Sequence, residues 1–164
     1  MKKQFLPLML LASAICSCSE KQPETTEPMI TKTEIQVENG HFTPEIMHRL
    51  GKVGDVQVSP NHAKILYGVT YTSIEQNKGN RELYLMNVDG SENVKITNTP
   101  KSESNARWIN DSQIIYMRSG KLYTATIEGS TLKNEKEVAG AEGMESFELS
   151  PAGDKLMFIK SVKA

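Results

Sequence analysis

The chain has 164 residues, 38% of them hydrophobic and 24% charged, with a formal net charge of −1. That length suffices for one domain, and the composition is that of an ordinary globular protein. A near-neutral balance without a basic stripe argues against nucleic acid as a partner, because phosphate affinity needs clustered cations.

The start of the chain is more informative. Met1, Lys2 and Lys3 form a positive head, followed by a short apolar run over residues 5–15. This is the pattern of a secretory signal, too short and wrongly flanked for a spanning helix. Its end, Ile15-Cys16-Ser17-Cys18, resembles the bacterial lipoprotein signal. That signal asks for an aliphatic residue three before the cysteine and a small one just before it. Cys18 meets both demands through Ile15 and Ser17, whereas Cys16 follows Ile15 directly. The expectation is loss of the signal peptide, residues 1–17, and lipid attachment at Cys18. Such a product is anchored to a membrane of the bacterial cell envelope, periplasmic or surface-exposed, without spanning it. An ordinary signal peptide with two incidental cysteines is the alternative. Both cysteines fall in this segment, so processing leaves no pair for an intrachain disulfide. Residues 18–41 contain Pro23, Pro28 and recurrent Glu, Thr and Lys without periodicity, and read as a disordered tether.

From Phe42 onward the sequence turns structural. Thr43 is suited to cap a helix, Pro44 to its first position, Glu45 to its positive end and Gly51 to its stop. Ile46, Met47 and Leu50 share one side, which must dock on other elements because so short a helix is unstable alone. Residues 71–81, rich in Asn, Gln, Lys and Gly, read as an exposed loop, and 101–105 and 133–136 as further polar connections.

Between these lie repeats. Val58-Ser59-Pro60 followed by Ile65-Leu66-Tyr67 returns as Leu149-Ser150-Pro151 followed by Leu156-Met157-Phe158, with a degraded copy, Trp108-Ile109-Asn110-Asp111, followed by Ile114-Ile115-Tyr116. The anchors Val58, Trp108 and Leu149 stand 50 and 41 residues apart, which brackets the blade period of β-propellers. A second echo, offset by 39 residues, links Leu83-Tyr84 and the turn Asp89-Gly90-Ser91 to Leu122-Tyr123 and Glu128-Gly129-Ser130. Each unit is therefore a strand, a Ser-Pro-type turn, a strand, a loop, a Leu-Tyr strand, a Gly turn and a strand. The expected fold is all-β: a partial propeller of two to three four-stranded antiparallel blades over 42–164, with one short N-terminal helix. Propellers close with four to eight blades, so the rest of a longer chain is the expected partner.

No catalytic, cofactor or metal residues are assigned. His41, His48 and His62 have neither metal-ligand spacing nor a nucleophile beside them, so His48 reads as an exposed helix residue and His62 as a turn residue. Asp89-Gly90-Ser91 lacks the acid pattern of a calcium loop. Gly51-Lys52-Val53-Gly54 lacks the flanking strand and helix of a phosphate loop. Trp108, Tyr84, Tyr116, Tyr123 and Phe158 occupy strand positions expected in the core between blades.

The ordered series of lipoprotein signal, polar tether, Phe42-Thr43-Pro44-Glu45 helix, Val56-Gln57-Val58-Ser59-Pro60, Tyr67, Asn-rich 75–80 segment and Leu83-Tyr84-Leu85 resembles a known family. It is similar to the start of secreted prolyl oligopeptidase-family serine peptidases, in the dipeptidyl-peptidase and acylaminoacyl-peptidase branch, over residues 42–160. The Ser-Pro and Trp repeats are shared with TolB-like propellers in general. The family's usual Ser-Pro-Asp-Gly turn is altered here to Ser59-Pro60-Asn61-His62 and Ser150-Pro151-Ala152-Gly153. The resemblance implies a propeller that filters or orients peptide substrates while a separate α/β-hydrolase domain carries Ser, Asp and His. No Gly-x-Ser-x-Gly elbow occurs in this sequence, so the chain should be inactive alone. A non-enzymatic TolB-like lipoprotein that binds peptide, glycan or an envelope protein is the alternative.

Overall fold

The computed structural model describes residues 28–162 and consists chiefly of antiparallel strands. The strands make three separate sheets, each from consecutive strands in up-and-down order. The first holds β1 (Lys52–Val58), β2 (Lys64–Ser73), β3 (Lys78–Asn87) and β4 (Val94–Lys95). The second holds β5 (Glu103–Trp108), β6 (Gln113–Arg118), β7 (Lys121–Glu128) and β8 (Thr131–Glu137). The third is the pair β9 (Met144–Leu149) and β10 (Leu156–Lys160). Among the described residues the all-β expectation holds, with one short α-helix, α1 (Pro44–Arg49), ahead of the sheets.

The repeated anchors fold alike. Ser59 and Ser150 each accept, on Oγ, the amide five residues on: Lys64 at 2.9 Å and Lys155 at 3.0 Å. In the intervening copy Asn110 Oδ1 accepts the amides of Ser112 and Gln113 instead. That middle turn is one residue shorter, with Trp108 facing Ile114 where Val58 faces Ile65 and Leu149 faces Leu156, so a different side chain closes it. Gly129, at φ +60°, leads the two-residue loop joining β7 to β8, where a hairpin turn needs that conformation. Asp89-Gly90 instead opens a longer connection, with Asp89 Oδ1 accepting the Ser91 amide at 2.9 Å.

The second sheet is buried on both faces by its neighbours. Ile114 and Tyr116 on β6 join Leu66, Leu83 and Leu85 of the first sheet in one core. Ile115 and Met117, pointing the other way, join Met144 and Phe147 of the third sheet. A strand covered on both sides reads as a continuous apolar run, as 114–117 does. Trp108 and Tyr116 belong to the first core and Tyr123 packs against it. Tyr67 stacks on Tyr84 across β2–β3 with centroids 5.5 Å apart, and Tyr116 on Tyr123 across β6–β7 at 6.0 Å. The same cross-strand aromatic pair therefore recurs in both four-stranded sheets. Phe158 departs from the expectation: it is 48% exposed, on a strand that no third strand or further sheet covers among the described residues.

Three polar stretches expected to be connections are strand over most of their length. β2 runs to Ser73 and β3 begins at Lys78, so the expected 71–81 loop shrinks to a turn at 74–77, closed by Asn77 at φ 47°. Unbroken pairing from Lys64↔Asn87 to Ser73↔Lys78 satisfies the backbone there, whatever the side-chain polarity. Glu103 to Asn105 opens β5, and 133–136 lies in β8, an outer strand whose Lys133, Asn134, Glu135, Lys136 and Glu137 are all exposed. Side chains that remain in water place little constraint on strand formation at an edge.

α1 begins as expected, with Thr43 Oγ1 accepting the Ile46 amide at 3.3 Å. Its end and its packing differ. The chain leaves the helix through Leu50 in extended conformation, and Gly51 has no left-handed φ. Gly51 is needed for closeness instead: a Cβ there would lie 2.7 Å from Val69 Cγ1. Only Ile46 of the apolar side is half-buried, whereas Met47 is 53% and Leu50 42% exposed. Ahead of the helix, residues 28–37 form no helix or strand; the Gln76 side chain donates to the Pro28 carbonyl at 3.1 Å, and Asn80 to that of Ile30 at 3.3 Å.

Candidate functional site

Each sheet's first strand carries an extra residue. Pairing slips between Gly54 and Gln57 in β1, between Ser104 and Arg107 in β5, and in β9 where Glu145 is skipped between Met144 and Ser146. Asp55 and Asn105 adopt left-handed backbone at these bulges, with φ 52° in both. Asp and Asn tolerate that region better than other side chains with a Cβ. The bulges then link sheet to sheet. Asp55 Oδ2 accepts the Asn105 amide at 3.1 Å, and Asn105 Nδ2 donates to the Phe147 carbonyl of β9 at 2.7 Å. Trp108 Nε1 donates to the Gln57 carbonyl, and Arg107 pairs with Glu148 at 3.0 Å.

Arg81 crosses the first sheet to reach Asp55, Nη2 to Oδ2 at 3.1 Å. Its guanidinium lies where two side chains are missing. A Cβ on Gly54 would stand 2.6 Å from Arg81 Nη2, and one on Gly68 would overlap Nε. Glycine at 54 and 68 therefore makes the slot that holds the cation against β1 and β2.

A second polar cluster fills the junction between the first two sheets. Glu82 on β3 is 2% exposed and accepts from Thr97 Oγ1 at 2.7 Å, from the Thr99 amide at 3.1 Å and from Asn80 Nδ2 at 3.2 Å. Glu103 on β5 is fully buried, accepts from Thr99 Oγ1 at 2.7 Å, and meets Arg118 Nη1 at 3.5 Å. Thr99 thus bridges two buried carboxyl groups. Glu103 Oε2 and Asn80 Oδ1 have no hydrogen-bond partner. Burial pushes the Glu103 carboxyl up, the Thr99 bond opposes this, and the nearby Glu82 charge adds to the rise. Arg118 also binds Glu135, which accepts from Tyr116 as well, and stacks over the Tyr123 ring with its carbon 4.3 Å from the centroid. Burial and the Glu135 bond push the Tyr116 phenol far up. Glu135 itself is drawn down, because Arg118 and Tyr116 outweigh its burial.

A cleft of about 540 Å³ lies between residues 28–33, α1 and the β2–β3 turn. Met29, Tyr71 and Ile74 line it with Glu45, His48 and Arg49, a mixture of apolar walls and opposite charges. Its volume is that of a small-ligand or short-peptide cleft.

The expected signal peptide 1–17 and the Cys18 lipid site lie outside the described residues. No described helix is long and apolar enough to cross a membrane. Among the described residues no group of three or more His, Cys, Asp or Glu is placed to hold a metal. His41 and His48 are exposed, and His62 sits in the Ser59 turn with its amide on the Ser59 carbonyl. Sequence reasoning did not single out Asp55, Arg81, Glu82, Glu103 or Arg118. The available signal was a carboxylate on the inward-facing phase of a strand, which the bulge in β5 conceals by shifting the alternation between Glu103 and Ala106.

No family model matches the chain. It is similar to two proteins called dipeptidyl-peptidase 5. The one from Porphyromonas gingivalis is 29% identical over 126 residues, 75% of this chain and 18% of that protein. The one from Porphyromonas endodontalis is 26% identical over 136 residues, 80% of this chain and 19% of that protein. The chain thus spans about a fifth of the length of the curated relatives it matches. Among solved structures, the acylaminoacyl peptidase of Pyrococcus horikoshii superposes with a TM-score of 0.54 at 18% identity, over 68% of this chain and 17% of that one. The sequence is related to peptidases, and its fold is that of part of such a protein.

Proposed function

We propose that this chain is the lipid-anchored N-terminal propeller portion of a secreted serine exopeptidase that releases dipeptides or acylated residues from peptides. The first two sheets are its opening blades and β9–β10 the start of a third. Later blades and the hydrolase domain with Ser, Asp and His complete the enzyme, and the propeller gates or orients peptide substrates. The observation that carries this reading is the similarity to dipeptidyl-peptidase 5 across three-quarters of the chain, confined to a fifth of the relatives' length. The bulges in β1 and β5 support it, since Asp55 and Asn105 each set a side chain on the backbone of the next sheet's first strand, an arrangement that can continue around a ring. Cys18 as the lipid site places the assembly at the bacterial envelope, held to the membrane by acyl chains.

The test uses an antibody to residues 42–162 and a fluorophosphonate probe on cells that make the protein. A probe-labelled product longer than this chain, retained by the antibody, supports the reading. Retention of an unlabelled product alone sinks it and leaves the non-enzymatic lipoprotein. Mass spectrometry of the same product checks the anchor; a mature terminus other than acylated Cys18 rejects that part.

A further inference from the structure

We propose that Glu103 is the neutral member of a buried acid pair with Glu82, and that this pair is a pH-sensitive latch between the first and second sheets. The two residues come from β3 of the first sheet and β5 of the second, and Thr97 and Thr99 lie on the connection between the sheets, which runs from β4 to β5. Glu82 has three donors and is dressed as an acceptor, through Asn80, Thr97 and Thr99. Glu103 is differently placed. It is 0% exposed, its Oε1 is held by Thr99, and its Oε2 has no partner. A protonated carboxyl tolerates such burial far better than a carboxylate with a bare oxygen.

The charged and titratable groups around Glu103 do not reverse this. Glu82 faces it from β3 with like charge. Arg118 and Tyr116 face it from β6, and Glu135 of β8 competes for Arg118. Arg118 sits 3.5 Å from Glu103 while binding Glu135 more closely. With both carboxyl groups of the pair ionised, Arg118 would be divided between Glu103 and Glu135 while Glu82 set a like charge beside Glu103. One proton on Glu103 removes the repulsion at the Thr99 bridge. Losing that proton sets two charges against each other inside the junction and loosens β3 from β5.

The sign follows from linkage. Glu103 has a raised carboxyl pKa in the folded chain, so the folded state keeps a proton that the unfolded state releases near 4.5. The stability this group contributes is fully present below that value and is lost as pH rises through the raised pKa of the folded chain.

Infrared spectroscopy of the full chain tests this directly, through the carbonyl band of a protonated carboxyl group. The band should persist above the pH at which free glutamic acid titrates, and Glu103→Gln should remove it. The fall in stability with rising pH should vanish in the same variant. Glu82→Gln removes the like charge and should shift the band's disappearance to lower pH. Wild-type chain with no such band overturns the proposal, as does a Glu103→Gln chain that retains it. Calcium-dependent stabilisation of wild type but not of Glu103→Gln would also overturn it, since a cation would then hold the pair.

Discussion

The Asp55 carboxylate accepts a hydrogen bond from the amide of Asn105, 50 residues later, at 3.1 Å, and each residue sits in left-handed backbone on its sheet's first strand. Asp55→Ala removes this acceptor and the partner of Arg81, and places alanine at positive φ. Loss of the acceptor and the conformational strain together should cost about 2–4 kcal/mol. Asp55→Asn keeps an acceptor and tolerates the backbone, so it should cost about 1 kcal/mol or less. Urea unfolding of the two variants measures the difference; equal losses would show that the bulge link contributes nothing.

The slot beneath Arg81 makes a separate prediction. Gly68→Ala drives a methyl into the guanidinium and should destabilise the first sheet by about 1–3 kcal/mol. In an Arg81→Ala background the same substitution should be nearly neutral, because the obstruction has gone. A double-mutant cycle reads that coupling, and additive effects would place the strain elsewhere.

Tyr84 provides an alkaline marker. Burial, followed by the influence of Tyr71, pushes its phenol up to about 12. The folded state therefore holds a proton that the unfolded chain loses near 10, and stability should fall as pH rises from about 10 to 12. Tyr84→Phe should flatten that fall. Ultraviolet titration of the phenolate checks the folded value, and ionisation of every tyrosine together near 10 would contradict it.

Two phenylalanines one strand apart should behave oppositely. Phe147 is 1% exposed in the core between the second and third sheets, whereas its cross-strand partner Phe158 is 48% exposed. Phe147→Ala should cost about 3–5 kcal/mol. Phe158→Ala should remain near ±0.5 kcal/mol in this chain, the range of ordinary surface changes. Chemical denaturation distinguishes them.

Where the sequence repeats itself, the fold was legible. Ser59 and Ser150 announce the same turn because one hydroxyl, five residues from one amide, performs the same task twice. Tyr67–Tyr84 and Tyr116–Tyr123 likewise follow from the repeated spacing. The hairpin through residues 71–81 was hidden, because Asn, Lys and Gly reveal nothing of the partner strand that satisfies their backbone. The bulges at Asp55 and Asn105 were hidden for a related reason: an unmatched residue is defined by the strand opposite. Glu82 and Glu103 stayed unseen until that register was known, since only register shows which face a glutamate takes.

The outer strand β8 has a bearing on how the chain survives among its own copies. Its free backbone groups could template a cross-β stack, in which identical strands lie about 4.8 Å apart. In-register stacking would set Lys133 on Lys133, Lys136 on Lys136 and Glu137 on Glu137, on side chains that are all exposed. Like charges at that separation disfavour fibril growth, so this margin resists self-templating even while it remains uncovered.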